Sequence, residues 1–144
     1  MLRLILVFAA LFFVSCSYGV LKGFPMSTVE QGSTSFFVLH QPNDNRALDE
    51  VLSKVLRSRG FRVEIAASES PDYLVNYIDK WYWDMRTYMV DVRVDIRDAE
   101  TNMLVGTGRS FQASLDAMGH SYAEIIESAL DAALTGNLTH VSKR

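Results

Sequence analysis

Two aspartates on one predicted strand are the clearest candidates for a catalytic pair. Asp91 and Asp95 alternate with Arg93 and Arg97 in the stretch Thr87–Arg97. Because a strand advances about 3.3 Å per residue, these carboxylates lie ~13 Å apart. Even an inverting glycosidase needs its two carboxyl groups within about 6.5–9.5 Å of each other. The pattern therefore indicates a solvated ladder of charges, matched to a neighbouring strand, rather than an active site.

Metal and nucleophile chemistry have little support elsewhere in the sequence. His40, His120 and His140 are far apart, and none has a second His or a Cys at the spacing of a zinc site. The segment Gly106–Ser110 lacks the lysine of a phosphate-binding loop, and its serine is not in a Gly-x-Ser-x-Gly elbow. It is typical of a strand with close backbone approach or a bulge. We therefore expect no catalytic residue, no metal site and no cofactor.

Aromatic residues concentrate in one segment, which holds both tryptophans. On a strand, one face carries Tyr73, Val75, Tyr77, Trp81 and Trp83, and the other carries Leu74, Ile78 and Tyr82. One interpretation is a satellite cluster that protects the sheet face left bare by helices. The other is a surface for a partner protein or a glycan, because exposed Trp and Tyr are frequent anchors. The candidate residues of that surface are Tyr77, Trp81, Trp83 and Tyr88.

The single cysteine follows a short apolar N-terminal run. Arg3 precedes 11 uninterrupted apolar residues, Leu4–Val14, whereas a membrane-spanning helix needs about 20. A basic start and a short apolar run are typical of a secretory signal peptide. The end of this run, Phe13-Val14-Ser15-Cys16, resembles the lipobox of bacterial lipoproteins, although Phe13 departs from the usual Leu.

That resemblance implies cleavage after residue 15 and a diacylglycerol on the nucleophilic sulfur of Cys16. Several acyl chains would make the anchorage stable. In Gram-negative lipoproteins an Asp after the cysteine tends to retain the protein at the inner membrane. Since Ser17 stands there, the resemblance implies the outer membrane, facing the periplasm. The alternatives are an ordinary secretory signal with an incidental cysteine, or a free buried thiol.

Length, composition and charge exclude several other classes of protein. The chain has 144 residues, of which 49% are hydrophobic and 22% charged, with only 8 Gly and 3 Pro. Its length fits one domain, and its composition excludes collagen-like and disordered classes. A net charge of −3 argues against nucleic-acid binding, which needs clustered Lys and Arg. One cysteine excludes an internal disulfide framework.

Hydrophobic periodicity predicts two helices and five strands. The apolar spacing from Leu48 to Leu56 predicts a helix that ends at Gly60, and a capping box at Ser121 and Glu124 opens a helix that ends at Gly136. Strands are predicted over 35–39, 61–67, 73–83, 87–97 and 103–111, with Tyr88 and Val90 on one side of the fourth and Met89 on the other. Residues 16–34 are predicted to form a flexible tether, part of which can pack on the domain, and residues 137–144 a frayed tail.

The predicted order of elements indicates an α+β fold over residues 35–136. We expect a two-layer α/β sandwich, in which a mixed sheet of four to five strands carries both helices on one face. The segments Arg59–Phe61, Pro71–Val75 and Val92–Gly108 resemble parts of small, largely uncharacterised bacterial outer-membrane lipoproteins with a compact α/β domain. The resemblance implies an accessory or assembly role and transfers no catalytic residue.

These observations predict a non-enzymatic, membrane-anchored periplasmic lipoprotein. The covalent lipid on Cys16 provides the membrane contact, and the domain provides protein–protein or cell-envelope contacts, with an envelope protein as partner. The alternative function is a periplasmic carrier of a lipid or glycan, held in an aromatic groove.

Overall fold

The computed structural model describes residues 20–26, 32–66, 70–112 and 119–136. Within them the elements are β1 (Val20–Phe24), β2 (Ser35–Val38), α1 (Leu48–Ser58), β3 (Arg62–Val63), β4 (Tyr73–Asp84), β5 (Arg86–Asp98), β6 (Leu104–Phe111) and α2 (Tyr122–Thr135). The strands form one mixed sheet in the order β1-β6-β5-β4-β2-β3. Both helices pack into one core cluster on the same face of this sheet. The predicted α+β sandwich is confirmed, with six strands rather than four or five.

The sixth strand comes from the segment predicted to be a tether. Val20–Phe24 pairs antiparallel with β6. Met26 is buried, and its N–H donates to the carbonyl of Ala133 at 2.9 Å. Residues 20–26 therefore follow the alternative left open by the sequence, in which part of the predicted tether packs on the domain, and they are not flexible tether. A short edge strand is held by backbone hydrogen bonds, which leave little trace in a hydrophobic pattern.

Other predicted segments lie wholly or partly outside the described residues. These are the signal peptide over 1–15, Cys16 and the tail over 137–144. The strand predicted over 61–67 is shorter than expected, since only Arg62–Val63 pairs, parallel to β2. No helix among the described residues is both long enough and apolar enough to cross a bilayer.

Helix α1 forms where the sequence predicts it. Leu48, Leu52 and Leu56 recur at four-residue spacing and are all buried. The side chain of Asp44 accepts a hydrogen bond from the Leu48 N–H at 2.6 Å, which satisfies a donor in the first turn. Gly60 follows the helix with φ of 84°, a conformation that favours glycine.

Helix α2 begins at the predicted capping box. The Ser121 side chain accepts from the Glu124 N–H at 3.3 Å, and the Glu124 carboxylate accepts from the Ser121 N–H at 3.0 Å. Gly136 ends the helix in the left-handed conformation. One side of α2 lies directly on Gly106 and Gly108 of β6, where an added Cβ would meet helix backbone. The close backbone approach predicted for this strand is confirmed.

The long β4–β5 hairpin contains a bulge. Lys80 lies opposite Asp91, whereas the next residue, Trp81, lies opposite Met89. Val90 is therefore an extra residue on β5, and side-chain alternation changes phase there. Met89 consequently faces the helices and is only 1% exposed.

The bulge corrects the predicted alternation along β5. The sequence pattern places Tyr88 on the same face as Val92 and Val94, but Tyr88 lies directly opposite Tyr82, on the face away from the helices. A bulge shifts one residue without changing composition, so periodicity alone does not reveal it.

Candidate interaction surface

The β4–β5 hairpin extends beyond its neighbours in the sheet. β6 pairs with β5 only as far as Asp91, and β2 pairs with β4 only as far as Val75. We call the segment Trp81–Met89 the hairpin arm. Among the described strands, its two halves pair only with each other.

The end of the hairpin arm is apolar and exposed. Tyr82 is 56% exposed, Trp83 73% and Met85 94%. Met85 has φ of 59° and joins β4 to β5 between Asp84 and Arg86. An apolar residue at the tip of a turn between two charged residues is unusual, because turns favour polar residues and glycine. Tyr82 and Met85 therefore join Trp83 in the exposed surface, and Met85 is recognisable in the sequence as an apolar residue between Asp84 and Arg86.

Tyr77 does not belong to any surface. It is 2% exposed, and its hydroxyl donates to Asp44 at 2.6 Å and accepts from the Gln41 N–H at 3.3 Å. Burial, followed by the bond to Asp44, raises the pKa of Tyr77. Its assignment to a binding surface is therefore wrong, because Tyr77 connects the core to the loop before α1.

Asp44 is the polar centre of that loop. Burial raises its pKa, but the hydrogen bonds from Tyr77 and from the backbone N–H groups of Arg46 and Leu48 outweigh this effect, so the pKa is lowered. The carboxylate thus stays ionised while it fixes the loop and caps α1.

Trp81 forms the base of the hairpin arm. Its ring packs against the core, and its indole N–H donates to Asp79. The Arg46 guanidinium lies 4.0 Å from the ring centroid, and the Tyr122 ring lies at 6.1 Å. The domain therefore covers much of the Trp81 ring, whereas the Trp83 side chain is exposed.

Tyr88 is buried on the other face of the arm, with its ring 6.1 Å from that of Tyr82. Its hydroxyl is buried and has no hydrogen-bond partner among the described residues. The structure thus separates the four predicted residues: Trp83 is exposed, Trp81 is half-buried, and Tyr77 and Tyr88 are buried.

The charge ladder of β5 is internally paired. Asp91 receives a bidentate pair of hydrogen bonds from Arg109 at 2.6 and 2.8 Å. Asp95 accepts from the Thr107 hydroxyl at 2.6 Å and pairs with Arg93 at 3.0 Å. The predicted matching to a neighbouring strand is confirmed. Each of these two carboxylates is therefore held by a partner side chain on the neighbouring strand.

Sequence spacing missed one cluster of possible metal ligands. Donor atoms of His40, Asp44 and Asp49 lie within 4.8 Å of one another. The His40 Nδ1 lies 3.0 Å from Asp49, and the bonds from Tyr77 and Leu48 both end on the Oδ2 of Asp44. Those bonds account for the cluster as the N-terminal cap of α1. His40, Asp44 and Asp49 are brought together by the loop before α1, and their types and spacing do not match the His and Cys pattern of a zinc site.

Three clefts among the described residues are small or polar. One of about 140 Å³ lies between the hairpin arm and the start of α2, against Trp81, Met89 and Tyr122. A cleft of about 260 Å³ lies over the charge ladder. A third, of about 400 Å³, is lined mainly by polar and charged side chains of α1 and its surroundings. Pockets that enclose small ligands usually measure about 300–1,000 Å³ and are largely apolar.

Comparisons with known proteins identify the fold. No protein-family model matches the chain, and no curated protein matches it significantly. Among solved structures, the PelC dodecamer from Paraburkholderia phytofirmans superposes with a TM-score of 0.57 at 12% identity, covering 85% of this chain and 100% of PelC. A second crystal form, of a single-substitution variant of that protein, gives the same values. The two proteins share a fold.

Other solved structures are less similar. TolB from Acinetobacter baumannii has a TM-score of 0.45 and 16% identity, covering 83% of this chain and 32% of TolB. Lipoprotein GNA1162 from Neisseria meningitidis has a TM-score of 0.33 and 14% identity, covering 53% of this chain and 79% of that one.

Proposed function

We propose that this protein is a lipid-anchored lipoprotein of the bacterial outer membrane that acts by binding in the periplasm and not by catalysis. The exposed end of the hairpin arm is the observation that carries the binding role. Trp83 and Met85 are 73% and 94% exposed on a two-stranded projection that no other described strand flanks. Apolar groups in such a position are typical of a contact surface.

The anchor part of the proposal rests on the N-terminal sequence. A basic residue, an apolar run and the Phe13–Cys16 motif fit a lipoprotein leader. Ser17 in place of Asp supports the outer membrane as destination. The PelC-like fold is compatible with an assembly role, since that protein forms a dodecamer, and other copies of this chain are candidate partners beside other envelope proteins.

The non-catalytic part rests on how the polar groups are used. Asp91 and Asp95 are held by Arg109 and Thr107 across the sheet, and Asp44 caps a helix. The carrier alternative has weaker support, because the aromatic cleft of about 140 Å³ is smaller than the usual range for ligand pockets.

Palmitate labelling of the full-length chain in a Gram-negative host tests the anchor. We expect radiolabelled palmitate to enter the wild-type protein and the label to disappear in Cys16→Ser. Outer-membrane fractions should hold the wild type, and the variant should leave them. If the wild type takes up no label and both proteins fractionate alike, the anchor is disproved.

Crosslinking in intact cells tests the binding role. Met85→Ser should reduce the crosslinked products of the hairpin arm, whether to lipid or to protein, at least several-fold. The matched control is Met103→Ser, which changes the same residue type, 66% exposed, in the turn after β5 at the opposite end of that strand. Equal crosslinking in both variants would contradict a role for the hairpin arm.

A further inference from the structure

We infer that the hairpin arm docks on the surface of the bilayer that holds the lipid anchor. The occupant of the exposed tip is then a lipid surface, and Tyr82, Trp83 and Met85 enter its interfacial layer. This inference rests on the proposed lipidation of Cys16 and deepens the proposed binding role by naming what the arm contacts.

The sheet register places the start of β1 and the arm at the same end of the domain. Val20 lies opposite Phe111, Phe111 opposite Asp91, and Asp91 opposite Lys80. These four residues form one row across β1, β6, β5 and β4. β1 and β4 run antiparallel to each other across the three antiparallel pairings. The N-terminal end of β1 therefore faces the same side of this row as β4 beyond Lys80.

Distances along the chain restrict how far the bilayer can lie from the arm. Cys16 precedes Val20 by four residues, so its Cα reaches at most ~14 Å beyond the row. Met85 follows Lys80 by five residues, so the arm extends ~17 Å beyond the same row. The lateral separation of the two strands is only ~14 Å. The arm thus extends at least as far beyond the row as Cys16 can. A bilayer that holds acylated Cys16 therefore lies close enough for the tip of the arm to contact it, even when residues 17–19 are fully extended.

The chemistry of this end suits a membrane interface. Trp and Tyr are enriched at the level of lipid headgroups, where their rings contact apolar chains and their polar atoms stay hydrated. The Tyr and Trp side chains exposed among the described residues are Tyr82, Trp83 and Tyr122. Tyr122 stands at the start of α2 beside the base of the arm, so all three lie at the anchor end. Arg86, next to the tip, is exposed and can meet lipid phosphates.

Fluorescence of a single tryptophan in vesicles tests the inference. The lipidated full-length product is purified, and its intact mass establishes the acyl chains on Cys16. The chain has two tryptophans, so Trp81→Phe leaves Trp83 as the reporter. In phosphatidylethanolamine–phosphatidylglycerol vesicles, we expect a blue-shifted emission, at least twofold quenching by brominated acyl chains and protection from acrylamide.

A matched reporter at the far end provides the control. Met103→Trp in a background of Trp81→Phe and Trp83→Phe places a tryptophan at an exposed position in the turn after β5. We expect acrylamide to quench this reporter and brominated lipid to leave it unchanged. Brominated lipid quenching both reporters equally would show non-specific adsorption and overturn the inference.

The remaining outcomes separate the two proposals. An acylated protein whose Trp83 stays open to acrylamide and unaffected by brominated lipid overturns the docking and leaves the lipoprotein intact. Protection of Trp83 from acrylamide without quenching by brominated lipid would mean that another copy of the chain covers the tip. This result would also overturn the docking of the arm on the bilayer. An intact mass without acyl chains overturns the proposed anchor and this inference with it.

Discussion

The carbonyl oxygen of Ala129 lies 2.0 Å from the point where a Cβ on Gly108 would stand. Helix α2 therefore rests on bare backbone of β6 at this position. Ala132 and Ala133 flank the same contact, and Gly106 repeats it, with the carbonyl of Ala133 at 2.6 Å from its would-be Cβ. Small residues on both elements allow this close packing.

Gly108→Ala should strongly destabilise the protein. The added methyl cannot fit unless α2 moves, and overpacking of a tight contact costs about 1–3 kcal/mol, occasionally more. Chemical denaturation measures this as a fall in the free energy of unfolding. Thr107→Ser, on the open face of the same strand, keeps the hydroxyl that bonds Asp95 and should change stability by less than about 0.5 kcal/mol. Equal effects of both substitutions would refute the packing argument.

Tyr77→Phe should lower stability by about 1–2 kcal/mol, since the Asp44 carboxylate loses a buried hydrogen-bond donor. The same substitution should raise the pKa of Asp44, because the bond from Tyr77 is one of the causes that lower it. Thermal unfolding and carboxyl NMR titration measure the two effects. Tyr73→Phe, on the same strand but half-buried, serves as control. An unchanged Asp44 titration would show that the hydroxyl does not govern this carboxylate.

The helices were predictable because their signals are local. The four-residue spacing of Leu48, Leu52 and Leu56 predicts the buried face of α1. The capping box of Ser121 and Glu124 predicts where α2 begins. The sheet depends on pairings between segments that are distant in the sequence, so the number of strands and their register are harder to predict from the sequence. Edge strand β1 and the bulge at Val90 are set by backbone pairing with β6 and β4, which hydrophobic periodicity does not encode.

The candidate surface was predictable only as a region. Alternation placed Tyr77 and Trp83 on the same face of β4, and both are on one strand as expected. Burial separates them, because the loop before α1 covers Tyr77 through Asp44 and Gln41, whereas the strand continues past that cover to Trp83. Which part of a long strand stays covered depends on neighbours far away in the sequence.

Acid should destabilise the fold partly through Asp72. Its carboxylate accepts hydrogen bonds from the Ser35 N–H and hydroxyl, both at 2.7 Å, and these bonds lower its pKa. A carboxyl whose pKa is lowered by folding stabilises the fold above its unfolded pKa, about 3.9. That stabilisation is lost as the pH falls through the lowered value.

Thermal unfolding of the wild type and Asp72→Asn between pH 7 and pH 2 measures this effect. We expect the variant to have the lower Tm at pH 7 and the difference to shrink from about pH 4 downward, as the pH falls towards and through the lowered pKa of Asp72. Asp84→Asn, in the exposed hairpin arm, should follow the wild-type curve. A constant difference across the pH range would exclude Asp72 as a source of acid sensitivity.

Substitution of Trp81 should lower the stability of the fold, whereas substitution of Trp83 should weaken the contacts of the hairpin arm and leave stability nearly unchanged. Trp81→Ala removes a ring that packs on the core and on Arg46. We expect a loss of about 2 kcal/mol, less than the 3–5 kcal/mol typical of a fully buried aromatic residue. Trp83→Ala removes an exposed ring and should change the free energy of unfolding by less than about 0.5 kcal/mol. In cells, however, the Trp83 variant should lose the contacts of the hairpin arm. Urea denaturation and crosslinking of the same two variants measure both effects, and a large stability loss in Trp83→Ala would mean that this ring is structural instead.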